Sequence, residues 1–256
     1  MHDLLAAFGS LMRLTDGIYL VASGASGVSL THACDCNVYV VNSRPGLVLI
    51  DCGVGLEPQR IVDEMIADGL APSALTHLLL THYHLDHCGG ARWFRDRFGL
   101  RVVASALTAQ AVSSCDEEAI SLAAAKRAGG YPADVHLAPC EVDIVMASGD
   151  VLSVGAVGIE ALATPGHSRD MVSYFAHANG RTDLFSGDTL FFDGKVLLSA
   201  IHDCDPAALC RSLRSIAGKD FAGLFPGHQL WSARDGRRHA EKAMTFIDRL
   251  LLPPSL

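Results

Sequence analysis

Short apolar segments rich in Val, Ile, Leu and Tyr, the first three of them bounded by Gly, Ser, Asn or Pro, recur along almost the whole chain. Such segments are typical of buried β-strands. They cover residues 17–22, 37–42, 47–51, 75–81, 101–105, 142–146, 151–154, 158–164, 172–177, 182–186 and 222–225. Segments with helical character lie between them, at residues 57–69, 89–98, 106–131, 206–217 and 234–252. Because strand-rich stretches lead twice into alternating strands and helices, the pattern favours two mixed sheets packed face to face, with helices outside.

The length of the chain and the lack of an internal linker favour one domain. A chain of 256 residues can bury one sizeable core, and no Pro- or Ser-rich linker separates its two halves. We therefore predict a single domain over residues 1–256, with an N-terminal extension at 1–16 and a closing helix at 234–252. Because 50% of the residues are hydrophobic and 19% are charged, the composition excludes a disordered chain.

The charge of the chain argues against nucleic acid and membranes as partners. Asp and Glu outnumber Lys and Arg by 28 to 20, and the basic residues form no run. Phosphate backbones and anionic lipid surfaces attract basic patches, which are missing from this sequence. No apolar run approaches the roughly 18 residues of a membrane span. The eight cysteines are scattered singly without a CxxC pair, which favours a reducing compartment, and we predict a cytoplasmic protein.

The segment THYHLDH, at residues 81–87, directly follows an apolar strand. It offers four side chains that can bind metal ions: His82, His84, Asp86 and His87. Imidazole nitrogen and carboxylate oxygen suit Zn²⁺, and also Fe²⁺ or Mn²⁺. On a turning loop, the first two of these residues can face one metal ion while the last two face a second. The segment therefore predicts a metal site at the end of a strand.

Three further turns at strand ends deliver the same kinds of ligand. A histidine follows TPG at residues 164–166, an aspartate follows the strand at 182–186, and a second PGH follows the last strand. These residues are His167, Asp188 and His228. Each turn alone is ordinary turn chemistry. Together with the first motif, however, they supply five imidazoles and two carboxylates, a set that fills two metal ions and leaves one carboxylate to bridge them.

THYHLDH, PGH, GD and PGH in this order, preceded by the strand-end aspartate of VLIDCG, resemble the motifs of the metallo-β-lactamase superfamily of dinuclear metallohydrolases. The resemblance runs from about Tyr19 to His228. It implies an α+β fold, an αββα four-layer sandwich, with the metal ions at one edge between the sheets. It implies a first metal ion on His82, His84 and His167, a second on Asp86, His87 and His228, and Asp188 as the bridge. It also implies that Asp51 orients the histidines of the loop.

The sequence separates some classes within this superfamily. Its β-lactamases lack the bridging aspartate that Asp188 would supply, and its nucleases carry an inserted domain or an arm for which this chain has no room. The stretch GDTLFF is similar to the GDTLF of hydroxyacylglutathione hydrolases and related thioesterases. Those enzymes hold glutathione in a C-terminal helical domain, whereas 28 residues follow His228 here. Acyl-homoserine lactonases carry the same seven ligands, with a tyrosine where this chain has Phe191.

The resemblance therefore implies a hydrolase that binds two divalent metal ions, with Zn²⁺ favoured over Fe or Mn. It would cleave a thioester or ester-like bond of a small acyl substrate through a metal-bound hydroxide. Asp86 would accept the proton of the attacking water, and Asp188 would hold both ions. Three alternatives remain: a lactonase of the acyl-homoserine lactone type, a mononuclear iron persulfide dioxygenase, and a non-catalytic sensor on the same fold.

Residues close to the motifs are candidates for the substrate pocket. Tyr83, Phe191 and Phe192 could form an apolar acyl pocket or pack in the core, and His202 could line the cleft or lie on the surface. Cys88 follows the ligand cluster directly, and we interpret it as a small buried thiol. The sequence leaves the oligomeric state open.

Overall fold

The computed structural model describes residues 12–256 of the chain. Most of the predicted N-terminal extension at 1–16, namely its first eleven residues, lies outside the described residues. The remainder forms a turn before the first strand. Leu14 and Thr15 donate backbone hydrogen bonds to Ile18 at 2.8 and 3.2 Å, and Arg13 forms an isolated bridge with Tyr19.

The first sheet has six strands in sequential order. They are β1 (Ile18–Ala22), β2 (Val38–Asn42), β3 (Leu47–Ile50), β4 (Leu75–Leu79), β5 (Arg101–Ala104) and β6 (Ile144–Val145). The first three strands pair antiparallel, and β3 to β6 pair parallel. The parallel strands need crossover connections, which the helices between them supply.

The second sheet has five strands. They are β7 (Val151–Val154), β8 (Val157–Ala163), β9 (Val172–Ala178), β10 (Arg181–Gly187) and β11 (Gly223–Pro226). The strands from β7 to β10 pair antiparallel in chain order, and β11 pairs parallel with β10. Both sheets are therefore mixed, as the sequence predicts.

Seven helices accompany the sheets within residues 12–256. They are α1 (Pro58–Ala67), α2 (Leu85–Cys88), α3 (Ala91–Phe98), α4 (Ala106–Ser114), α5 (Leu122–Arg127), α6 (Pro206–Ala217) and α7 (Arg237–Ile247). Single 3₁₀ turns lie at Pro72–Ala74 and Phe192–Gly194.

Alternation along the strands builds the four layers. In β3, Leu47 and Leu49 pack with helices α1, α3 and α4, whereas Val48 and Ile50 pack against the second sheet. In β9, Tyr174 faces the first sheet, and Phe175 packs against α6 and α7. Because side chains of a strand alternate between its two faces, each sheet buries one face on the other sheet and one on helices. The αββα sandwich predicted from the resemblance is confirmed.

Two local predictions differ from the structure. Residues 85–88, expected in a loop, form the one-turn helix α2, which ends at Gly89 and Gly90. A Cβ atom at Gly90 would lie 2.4 Å from the carbonyl oxygen of Cys52, so the chain passes too close to that strand end for a larger residue. The closing helix, expected at 234–252, spans Arg237–Ile247, and the chain turns away at Leu250, where φ is +60°.

None of the helices in the described residues, 12–256, combines the length and the apolar character that crossing a membrane requires.

Tyr39 lies between the two sheets, so substitutions at this position test how the sheets pack. Its ring contacts those of Phe185 and Phe225 with centroids 5.5 and 5.6 Å apart, and its hydroxyl donates to the carbonyl of Pro226 at 2.8 Å. We expect Tyr39→Ala to lower the free energy of unfolding by about 4 kcal/mol, because it leaves a cavity between the sheets. Tyr39→Phe keeps the ring and should cost about 1 kcal/mol. Denaturant unfolding measures both; equal losses would contradict this packing role.

Candidate metal centre

The four motifs identified in the sequence meet at one edge of the sandwich. The THYHLDH segment follows β4 of the first sheet, and the other three turns follow β8, β10 and β11 of the second sheet. The edge therefore receives polar side chains from both sheets. The seven side chains that converge there are His82, His84, Asp86, His87, His167, Asp188 and His228, and we refer to them as the candidate centre.

Three histidines form the first cluster of this centre. His84 Nδ1 lies 3.1 Å from His82 Nε2 and 2.9 Å from His167 Nε2. A ring nitrogen carries at most one hydrogen, so three converging nitrogens cannot all be satisfied by one another. Ligand nitrogens about 2.0–2.1 Å from a tetrahedral metal ion lie about 3.3 Å apart. The spacing of the first cluster is close to that of a three-histidine metal site.

Asp86, His87 and His228 form the second cluster. Asp86 Oδ2 lies 3.1 Å from His228 Nε2 and 3.5 Å from His87 Nε2. Asp188 contacts both clusters: its Oδ2 is 3.5 Å from His167 Nε2 and 3.4 Å from His228 Nε2, and its Oδ1 is 3.5 Å from His87 Nε2. The position of Asp188 between the clusters suits a carboxylate shared by two cations.

Hydrogen bonds at the outer nitrogens orient two of the rings. His167 Nδ1 donates to the carbonyl of Leu197 at 3.1 Å, and His87 Nδ1 donates to Asp51 Oδ2 at 2.8 Å. Because each Nδ1 must carry the hydrogen, a neutral ring presents an Nε2 lone pair to the centre. Asp51 also accepts from the backbone and the hydroxyl of Thr81, both at 2.8 Å. These contacts place Asp51 where it can orient the histidine loop.

The two clusters differ in charge. Burial lowers the pKa of His82 well below its usual range and that of His84 to about 3, so the first cluster offers neutral nitrogens. Burial also lowers the pKa of His228, but the carboxylates of Asp188 and Asp86 raise it more, to about 9. Burial likewise lowers the pKa of His87, but Cys36 and the carboxylates of Asp86 and Asp188 raise it more, so it lies well above its usual range. A cation entering the second cluster would therefore displace protons.

Unpartnered polar atoms test whether the residues fit a metal ion. His87 Nε2 and Asp188 Oδ1 are buried and have no hydrogen-bond partner among the described residues. They face one another at 3.5 Å, a distance too long for a hydrogen bond. Leaving such atoms buried and unpaired is unfavourable by about 1–3 kcal/mol each, and a cation between them would satisfy both. The donor set and its geometry thus fit divalent metal ions.

Gly227, in the second PGH turn, lets the side chains of Asp188 and His87 lie directly against the backbone. A Cβ atom at this position would lie 2.3 Å from Asp188 Oδ1 and 2.6 Å from His87 Cε1. The first PGH turn uses Gly166 in a similar way, since a Cβ there would lie 2.4 Å from the Cα of Leu209 in α6, and its φ is +151°. The glycines of both motifs are therefore required by close approach.

The structure adds three residues that sequence reasoning missed. Tyr131 donates its hydroxyl hydrogen to Asp86 Oδ1 at 2.6 Å, and Ser26 Oγ lies 2.8 Å from His228 Nδ1. Both are distant in sequence from the residues they contact, so no local motif marks them. Asp170 is the third: burial raises its pKa to about 7.

Asp170 ties the two histidine turns together. Its carboxylate accepts hydrogen bonds from the backbone of Tyr83 at 2.8 Å and from the hydroxyls of Thr108 and Ser168 at 2.7 and 2.6 Å. Its place three residues after His167 is the one signal that the sequence offered.

A cavity of about 200 Å³ opens beside the candidate centre. The centre contributes His84, Asp86, His167, Asp188 and His228 to its lining. Leu85, Ser121, Tyr131 and Ser199 also line it, and the rest of the lining is an apolar wall whose members are Ile120, Leu122, Ala125, Leu197 and Ile201.

The predicted pocket residues do not line this cavity. Tyr83 is buried and bonds through its hydroxyl to Asp203, and Phe191 lies behind the centre, stacked 6.4 Å from the ring of His228. Phe192 packs on His239 at 4.6 Å. His202 is exposed at the rim, with Nδ1 3.2 Å from Ser121 Oγ. Of the two alternatives that the sequence left open, these positions agree with packing for the aromatic residues and with a surface position for His202, and other segments of the chain supply the apolar wall.

Gly227→Ala provides a test of the candidate centre. We expect the purified variant to lose most of its bound metal, because the added methyl group overlaps Asp188 and His87. Gly158→Ala is the matched control, since its Cβ would meet only Val151 Cγ1 at 3.7 Å. Elemental analysis of both proteins after metal loading gives the result. Full metal content in Gly227→Ala would remove these two residues from the site.

Comparisons with known proteins agree with this architecture. A family model described as the metallo-beta-lactamase superfamily matches residues 32–228, more than half of the chain. The native FEZ-1 metallo-beta-lactamase from Legionella gormanii superposes with a TM-score of 0.69 at 16% identity, covering 93% of this chain and 94% of that one. At that identity the likeness concerns the fold.

Two curated relatives are similar in sequence over part of their length. A hydroxyacylglutathione hydrolase from Bradyrhizobium sp. (strain ORS 278) is 34% identical over 138 residues, which are 54% of this chain and 42% of the relative. One of the same name from Thiobacillus denitrificans is 33% identical over 182 residues, 70% of this chain and 55% of the relative. The chain thus covers less than two thirds of the length of these relatives.

Proposed function

Because this chain belongs to the metallo-β-lactamase superfamily, we propose that it is a hydrolase that holds two divalent metal ions, with Zn²⁺ favoured, and cleaves a thioester or ester-like bond of a small acyl substrate. The observation that carries the proposal is the convergence of seven ligand side chains into two clusters joined by Asp188. The names of the curated relatives support the thioester class.

In the proposed reaction His82, His84 and His167 would hold one ion, Asp86, His87 and His228 would hold the other, and Asp188 would be shared between them. Bound divalent ions would lower the pKa of water towards about 7 and stabilise negative charge on a carbonyl oxygen.

Asp86 is the residue of the chain best placed to act on water. Burial raises its pKa, but His87 and His228 lower it more, so the carboxylate stays ionised. The hydroxyl of Tyr131 donates a hydrogen bond to Oδ1 of Asp86, and this contact holds the Asp86 side chain at the border of the cavity. In this position Asp86 would accept a hydrogen bond from the attacking water and orient it. The apolar wall would keep bulk water away from the reacting carbonyl.

The charge of the cavity supports an uncharged substrate. Among the residues described, 12–256, no Lys or Arg lines it. A polyphosphate or nucleic acid would bring negative charges that this lining cannot pair. The same observation disfavours deep binding of the charged glutathione group. We therefore propose no nucleic acid or membrane partner.

A lactonase is the second candidate. Phe191 stands where acyl-homoserine lactonases place a tyrosine, but Tyr131 brings a phenol to the centre from another segment. The ester bond of a lactone would meet the same residues.

Metal stoichiometry is the first test of the proposal. We expect the metal-loaded protein to bind close to two ions, because the ligand set divides into two clusters. His82→Ala should retain about one ion, whereas Asp188→Ala should lose affinity at both clusters and melt at a lower temperature, since bound metal stabilises the folded state. Saturation of the wild type at one iron, with oxygen consumption, would instead support the persulfide dioxygenase.

Substrate class is the second test. We expect turnover of simple thioesters and lactones, weak phosphodiesterase activity and almost no β-lactam cleavage, because one wall of the cavity is apolar and no Lys or Arg among the described residues lines it. Values of kcat/KM for the four substrate classes, measured on metal-quantified protein, give the comparison. A phosphodiester preferred by more than about tenfold, or ~1.4 kcal/mol in the transition state, would overturn the acyl hydrolase.

A further inference from the structure

The cavity beside the candidate centre has one polar end and one apolar end. Proposed ligands and the Tyr131 hydroxyl form the polar end, where a reacting carbonyl would lie. Two separate segments form the apolar end: residues 120–125 supply Ile120, Leu122 and Ala125, and residues 197–201 supply Leu197 and Ile201. A substrate that places its carbonyl at the polar end must therefore send one of its substituents along aliphatic side chains.

Side-chain contacts hold the apolar end in place against the centre. Glu117 receives Lys126 Nζ at 2.9 Å and pairs with His136 Nδ1 at 2.8 Å, which links α5 to the chain on both sides of it. Ser121 Oγ in the first wall segment lies 3.2 Å from Nδ1 of His202, which directly follows the second segment. Tyr131, six residues after the first segment, donates a hydrogen bond to Asp86. Such cross-links give the pocket a defined shape, on which selection by length depends.

We propose, on the basis of the function proposed above, that the apolar end binds the acyl chain of the substrate and selects short, uncharged aliphatic chains of about four to six carbons. Burial of Ile120 and Leu122, which are 2% and 1% exposed, fixes the floor of this pocket. A cavity of about 200 Å³ holds roughly six or seven water-sized groups at ~30 Å³ each. The attacking water and the carbonyl group take about two of these places.

The choice of the acyl chain over the leaving group follows from charge. A departing thiolate or alkoxide gains negative charge, which an aliphatic wall without a Lys or Arg among the described residues would destabilise. The acyl chain stays uncharged throughout the reaction, because the new carboxylate forms at the polar end. The leaving group therefore extends towards solvent, where its size has little influence.

The first experiment measures chain-length dependence on the metal-loaded protein. Thioesters of one thiol with acyl chains of two to twelve carbons are compared with acetyl thioesters of thiols of increasing length. We expect kcat/KM to rise by up to about fourfold per acyl methylene, to a maximum near four to six carbons, and then to fall. Lengthening the thiol should change kcat/KM less than threefold in total.

Ala125→Leu tests the position of the pocket, because the larger side chain would fill the apolar end. We expect it to reduce turnover of the hexanoyl thioester at least tenfold more than turnover of the acetyl thioester. Ala124→Leu is the matched control: Ala124 is exposed on the same helix, so the same substitution should leave the profile unchanged. Both variants should keep the metal content of the wild type.

Calorimetric titration of hexanoate and acetate provides a readout that does not require turnover. The wild type should bind hexanoate at least tenfold more tightly than acetate, and Ala125→Leu should lose that preference. Equal binding of hexanoate and acetate, or the same chain-length profile in Ala125→Leu and Ala124→Leu, would show that the proposed acyl pocket is wrong. Thioester turnover would in that case still support the proposed function. If no ester or thioester is cleaved but the hexanoate preference is present, the pocket stands and the proposed function fails.

Discussion

Charge balance at the edge between the two sheets is the constraint on which the candidate centre depends. Five imidazoles and two carboxylates meet there, most of them buried, and the protein alone can satisfy only part of them. The second cluster balances its charges internally, since Asp86 and Asp188 raise the pKa of His228 to about 9. The first cluster has no carboxylate of its own and leaves neutral nitrogens facing one another. Asp188 contacts both clusters. Divalent cations would therefore satisfy the buried polar atoms at this edge more fully than hydrogen bonds among the side chains do.

The sandwich makes this concentration of polar groups possible. Its strands carry the ligand turns from both sheets to one edge, and the aromatic contacts of Tyr39 hold the sheets together near the last of these turns. Close approach then completes the geometry: Gly227 leaves room for Asp188 and His87. Buried carboxylates hold the histidine turns as well: Asp51, which directly follows β3, bonds to Thr81 and His87, and Asp170 links the two turns to one another. The fold thus holds the side chains of the candidate centre close to one another.

In the proposed hydrolase, parts of the chain that lie outside the metal motifs would select the substrate. The segments around α5 and residues 197–201 build the apolar wall, and Tyr131 couples the first of them to Asp86. A division of this kind separates the chemistry, which the strand-end turns would supply, from specificity, which the wall would supply. Changes in the wall could therefore alter the substrate without altering the metal ligands.

The sequence by itself determined the elements and the residues that converge at the edge, because strand periodicity and ligand spacing are local properties. It identified THYHLDH, both PGH turns and Asp188, and the fold followed from their resemblance to a family. Only the tertiary structure decided which remote residues reach these motifs. Tyr131 lies 45 residues from Asp86 along the chain and Ser26 lies 202 residues from His228, so neither contact leaves a trace in local spacing. The sequence also left open whether the aromatic residues next to the motifs line a pocket or pack, and in the structure Phe191 stacks on His228 and Phe192 packs on His239 while other residues form the cavity wall. Burial and contact across the chain depend on how the sheets pack, which no single segment encodes.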